Sequence, residues 1–116
     1  MRVSQNKVNP FLEDQLFATL HQTLADLKTP KEVEKFLKTF LNETEHSTLA
    51  KRLAIAYWLD KGRGYTNISQ NIKVSSATIA AIQEKMGQEG TKLALQKIKA
   101  EEWASKWSER IRKIVR

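Results

Sequence analysis

The sequence predicts an all-α chain, and three observations carry that expectation. Apolar residues recur at steps of three and four along most of the 116 residues, the spacing of one face of an α-helix. No stretch alternates apolar and polar residues with period two, as a half-buried strand would. The two prolines and four glycines fall where helices should begin or end.

The elements follow in order. Asn9-Pro10 supplies an N-cap and a pre-set first helical residue, and behind it Phe11, Leu12, Leu16, Phe17, Leu20, Leu24 and Leu27 form one stripe. Thr29-Pro30 repeats the device ahead of Val33, Phe36, Leu37, Phe40 and Leu41. Asn42, with Glu45 three residues on, reads as a capping-box start, and Gly62 as the terminator of that third helix. Leu49, Leu53, Ala56 (with Ile55) and Leu59 are its expected buried stripe. Two short helices are expected at about 66–73 and 76–86, ended by Gly87 and Gly90, and a long amphipathic helix from about 91 to 115. The expected organisation is a helical core over 1–90 and a C-terminal basic helix over 91–116.

Composition narrows the function classes. A chain of this length makes one compact domain, or one protomer whose core a partner completes. No cysteine is present, which excludes disulfides, thiolate chemistry and cysteine metal sites. The N-terminus lacks a signal-like apolar run, and no apolar stretch approaches the roughly 18 residues of a spanning helix, so a cytoplasmic chain with no membrane partner is expected. The net charge of +7 is unevenly spread. Residues 1–60 hold eight Lys/Arg and eight Asp/Glu, whereas residues 61–116 hold twelve Lys/Arg against five Glu. Such asymmetry points to a polyanionic partner, nucleic acid first.

The stretch YTNISQNIKVSSATIAAIQEKM (65–86) has the apolar skeleton of a helix-turn-helix. Ile68 and Ile72 face the core from the first helix, Val74 plugs the turn, and Ile79 and Ile82 anchor the second helix. Ser75 and Ser76 stand where its N-cap belongs. The base-facing residues would be Ser76, Ala77, Ala80, Ala81 and Gln83, of which only Gln83 offers the bidentate contact that reads adenine. Such a small face leans on DNA shape and water-mediated contacts. Lys61, Arg63, Thr66, Asn67, Lys73, Ser75 and Lys85 cluster around the bend as the phosphate-contacting set. A short helical hairpin of any bundle shares this skeleton, so a purely structural reading stands beside the functional one.

With LAKRLAIAYWLDKG (Leu49–Gly62) entering the bend and SSATIAAI (Ser75–Ile82) after it, residues of about 27–87 resemble the tryptophan-repressor family, in particular its Trp-repressor-like branch. The resemblance implies an intertwined all-α homodimer whose recognition helices enter successive major grooves about 34 Å apart, and a role in transcriptional repression. Two departures stand out. Lys73 occupies a turn position that is glycine in the family, so either it takes a left-handed conformation at a cost of about 1 kcal/mol or the turn is remodelled. In the family, tryptophan is held by an arginine before the bend and a second in the recognition helix. Arg52 stands at the first position and Ala81 at the second, while Thr78 matches the family's threonine. Arg52 and Thr78 therefore mark at most a residual effector pocket, and no dependence on L-tryptophan is expected.

The last helix carries Ala100, Trp103, Trp107, Ile111 and Ile114 at helical spacing among Lys106, Arg110, Arg112, Lys113 and Arg116. Packing on the body or across a dimer, a clamp on the DNA backbone and a membrane-surface or RNA-binding adaptor are its three readings. His21, inside an apolar helix, reads as a partly buried packing residue and His46 as exposed. No catalytic constellation, phosphate-cradling loop or metal-ligand spacing appears, so neither an enzyme, a cofactor nor a metal is expected. The sequence thus favours a DNA-binding transcriptional regulator, the alternative being a dimeric helical interaction module that has lost DNA binding.

Overall fold

The computed structural model of the chain describes residues 7–114, and their side chains as far as Glu102. Six α-helices appear in that span: α1 (Pro10–Asp26), α2 (Pro30–Phe40), α3 (Glu43–Asp60), α4 (Tyr65–Ile68), α5 (Ser76–Glu84) and α6 (Glu89–Ile114). A π-helical segment, Ser69–Lys73, prolongs α4. By its contacts the chain divides into a unit of residues 1–46 and a second unit of residues 47–116.

In the first unit the caps expected from sequence are formed. The Asn9 side chain accepts from the Phe11 N–H at 2.9 Å, and Pro10 opens α1. Thr29 Oγ1 accepts from the Glu32 N–H at 3.1 Å, and Glu32 reaches back to the Lys28 N–H at 3.0 Å. Asn42 and Glu45 exchange bonds at the head of α3: Asn42 Oδ1 accepts from the Glu45 N–H at 2.8 Å, and Glu45 Oε1 from the Asn42 N–H at 2.9 Å. Each such cap stabilises its helix by about 1 kcal/mol. The stripe of α1 behaves otherwise. No residue of α1 is buried, and Phe11, Leu12, Leu16, Phe17, Leu20 and Leu24 are all exposed, Phe11 at 72 %.

His21 is exposed as well, stacked on Phe17 with ring centroids 6.3 Å apart, and is not the partly buried residue expected from sequence. The α1 residues on either side of it, Leu20 and Leu24, are exposed too. His46, expected to be exposed, is half-buried.

The second unit closes a core of its own. Ile55 of α3, Ile68 of α4 and Ile79 of α5 are fully buried against one another, with Trp58, Leu59, Ile72, Val74 and Ile82 packed around them. All five aliphatics of the expected helix-turn-helix skeleton belong to this cluster. The third helix departs from expectation at Leu49 and Leu53, which are exposed at 48 % and 44 %, while Ile55 and Ala56 are the buried pair. Ile55 joins the closed isoleucine core, whereas Leu49 and Leu53 line an open cleft with Ile82 of α5 and Ala94 of α6.

Two boundaries also shift. Gly90 lies in the first turn of α6, which begins at Glu89, so it does not end the preceding helix. Residues 85–88 close the gap through turn hydrogen bonds, among them Lys85 N–H to Ile82 O and Gln88 N–H to Lys85 O. The apolar stripe through Trp103 and Trp107, with Lys106, Arg110, Arg112, Lys113 and Arg116, lies outside the described side chains.

Candidate nucleic-acid interface

The candidate site begins where α3 ends. Gly62 adopts φ +83°, a left-handed conformation that glycine takes without steric cost. Around it the Arg63 N–H bonds Trp58 O and the Gly62 N–H bonds Leu59 O, both at 3.0 Å, the paired closure of a Schellman turn. The side-chain contact that often accompanies this turn is here a stacked cation: the Arg63 guanidinium lies 4.1 Å from the centroid of the Trp58 ring. Arg63 also donates to Asn67 Oδ1 at 3.3 Å, so two of the expected phosphate-contacting residues are held side by side. Thr66 sits exposed between them in sequence.

The bend itself has an unusual construction. Lys73 is the only non-glycine residue with positive φ among the described residues, at 63°. Of the two outcomes open to it, the chain takes the left-handed one, at about 1 kcal/mol. A wider π turn leads into it over Ser69–Lys73, and Ser69 Oγ donates to Val74 O at 2.7 Å across the bend. Val74 is thereby anchored both by this bond and by the isoleucine core. The Lys73 side chain is exposed.

Ser75 then caps α5. Its Oγ accepts from the Thr78 N–H at 3.2 Å and shares a 3.0 Å hydrogen bond with the Thr78 hydroxyl. Helix geometry leaves the Ser76 and Ala77 amides without an intrahelical partner, facing the partial positive end of the helix dipole. Along α5, Ala77 and Ala81 are exposed on the side opposite the buried Ile79, Ser76 and Gln83 are exposed on its flank, and Ala80 is half-buried. Bracing by one face and exposure of the other is the geometry a groove-entering helix requires.

The remaining expected site residues are dispersed. Lys85 is the C-cap of α5, about 15 Å along the helix from Ser75. It lines an apolar cleft of about 200 Å³ with Leu49, Arg52, Leu53, Ala56, Ile82, Gly90, Thr91 and Ala94. Arg52 therefore stands at a cleft, but Thr78 does not line it and is engaged in capping α5.

Lys61 has a partner that local spacing does not reveal. Its ammonium lies 3.3 Å from Glu102 Oε2 of α6 and 5.4 Å from the Tyr57 ring centroid. Tyr57 donates its hydroxyl to Glu102 Oε1 at 2.9 Å. These contacts raise both groups above their ordinary values. The hydrogen bond to Glu102 leads for each, holding the proton on the Tyr57 phenol and on the Lys61 ammonium. Beside them Lys99 pairs with Asp60 at 3.0 Å, offsetting a carboxylate placed at the negative end of α3. Tyr57 and Lys61 share a helix face four residues apart, a visible sequence signal, but the acceptor is 45 residues away.

Among the described residues no helix is long and apolar enough to cross a membrane. No curated protein and no solved structure matches the chain. The family model described as Trp repressor protein matches residues 15–99, which takes in α2 to α5 whole, most of α1 and the first turns of α6. That span includes the isoleucine-braced bend and the whole candidate interface, and the family is one of DNA-binding transcription regulators rather than enzymes. The chain belongs to the Trp repressor family.

Proposed function

We propose that this protein is a homodimeric DNA-binding repressor that works without L-tryptophan and reads its site largely through DNA shape. The observation that carries the reading is the mounting of α5: Ile79 fully buried, Ser75 capping the helix, Ala77 and Ala81 exposed on the far side, and Ser76 and Gln83 exposed on its flank. Arg63, Asn67 and Lys73 flank that face and supply backbone contacts; Lys61, Thr66, Ser75 and Lys85 complete the phosphate set. The exposed stripe of α1 supports a second copy as the partner that covers it. Independence from tryptophan follows from Ala81, which has no donor for a carboxylate where the family has an arginine, and from the commitment of Thr78 to its cap.

A fluorescence-anisotropy titration of random-sequence duplex DNA at 50 and 200 mM salt, with and without tryptophan, tests the reading. With about six phosphates neutralised across a dimer, affinity should fall by about 10³ between the two salts and be unchanged by tryptophan. No binding at low salt would leave the dimeric interaction module, a reading favoured by the absence of any charged residue among the five base-facing positions. Tryptophan-enhanced binding would overturn the inference from Ala81 and move the carboxylate contact to Lys85, which shares the cleft with Arg52.

A further inference from the structure

We infer that Glu102 of α6 is a built-in competitor for the DNA phosphate that Lys61 would otherwise meet, so that the C-terminal helix sets the strength of DNA binding. The inference rests on the DNA-binding reading above for its partner, and on three contacts for its geometry. Glu102 takes the Lys61 ammonium at 3.3 Å, Tyr57 holds the other carboxylate oxygen at 2.9 Å, and Lys99 ties the same stretch of α6 to Asp60 at 3.0 Å. Together they place a carboxylate at the last turn of α3, next to the Schellman turn that leads into α4.

The chemistry of this placement is asymmetric. Lys61 and Glu102 keep 41 % and 29 % of their side-chain surface, so their ion pair adds little to the fold. Its effect on a polyanion is larger, because Lys61 is neutralised where the excess positive charge of the chain begins. For Lys61 to meet a phosphate it must leave Glu102, and the ion pair lost is set against the counterion release the phosphate contact would bring. Tyr57 makes the competitor well aimed. Its hydroxyl fixes the carboxylate rotamer and its ring lies beneath the ammonium, so little side-chain entropy remains to be lost when the pair forms. Arg63, by contrast, lies on Trp58 and donates to Asn67, and among the described residues neither it nor Lys73 forms an ion pair.

The test compares wild type, E102Q, K61M and the E102Q/K61M double variant. Glutamine keeps an acceptor for Tyr57 and removes only the charge, and circular dichroism checks that helix content is retained. Random-sequence duplex binding is read by anisotropy across a salt series, and heparin elution gives a polyanion readout that needs no duplex. E102Q should bind duplex about three- to tenfold more tightly at 100 mM salt, with a salt slope steeper by about one to two. That gain should vanish in the K61M background. An unchanged or weaker E102Q, or a gain that persists without Lys61, would overturn the competition. Failure of the wild type to bind duplex at low salt would sink the DNA reading instead. Heparin would then decide the clasp: later elution of E102Q, cancelled by K61M, supports it, and equal elution of wild type and E102Q refutes it.

Discussion

The two units of the chain solve the burial problem in opposite ways. Residues 47–116 bring one isoleucine from each of α3, α4 and α5 together and bury all three completely. Residues 1–46 build a 17-residue helix, cap it, and leave six large apolar side chains in water. Both segments have helical periodicity of similar quality, so periodicity identifies a face without saying what covers it. The self-contained unit carries the candidate interface. On the dimeric reading proposed above, the exposed stripe of α1 is the face that a second copy would cover.

The sharpest way to break this comparison is to charge the stripe of α1. L16D/L20D should abolish the dimer, weakening self-association by roughly a thousandfold or more, about 4 kcal/mol, as read by sedimentation equilibrium. An unchanged mass would show that α1 is simply a solvated helix. On the other side, Ile79→Ala should cost about 3 kcal/mol in urea unfolding by removing a fully buried aliphatic from the three-isoleucine cluster. Ser75→Ala should cost about 1 kcal/mol, because the Thr78 N–H loses its acceptor, and weaken DNA binding with it.

Lys73→Gly should stabilise the second unit by about 0.5–1 kcal/mol, since glycine accepts φ 63° without strain, while removing one ammonium from the interface. Tighter DNA binding by this variant would contradict the phosphate role assigned to Lys73. The smallest effect concerns pH. Glu102 raises both Tyr57 and Lys61, so the stability it confers is fully present below their ordinary values of 10.0 and 10.5. It is lost as pH rises through the raised values. Thermal unfolding should therefore show the difference between wild type and E102Q constant from pH 8 to about 9.5 and shrinking above pH 10.

Local signals were legible in the sequence, and distant ones were not. Asn9, Thr29, Asn42 with Glu45, and Gly62 each act within four residues of their partners, and each does what its residue type dictates. The skeleton of Ile68, Ile72, Val74, Ile79 and Ile82 was equally readable, because a tight two-helix bend leaves few ways to bury five aliphatics. Exposure of Leu49 and Leu53 was not legible because both line an open cleft beside α5 and α6, whereas Ile55 enters the closed core, and periodicity does not distinguish the two. The Tyr57–Glu102–Lys61 cluster was invisible for a different reason: helix spacing relates residues three and four apart, and says nothing of a helix 45 residues downstream. Within the expected phosphate set, position along α5 separates Lys85 from the bend although both lie in the same short stretch of sequence.

The stack of Arg63 on Trp58 gives the protein an optical handle at the doorway to its bend. An indole with a guanidinium 4.1 Å from its centre emits in a fixed polar field, and that field changes as soon as the arginine turns toward another anion. With Trp103 and Trp107 replaced by phenylalanine, the emission of Trp58 alone would register occupancy of the interface in real time, without any dye attached to protein or DNA.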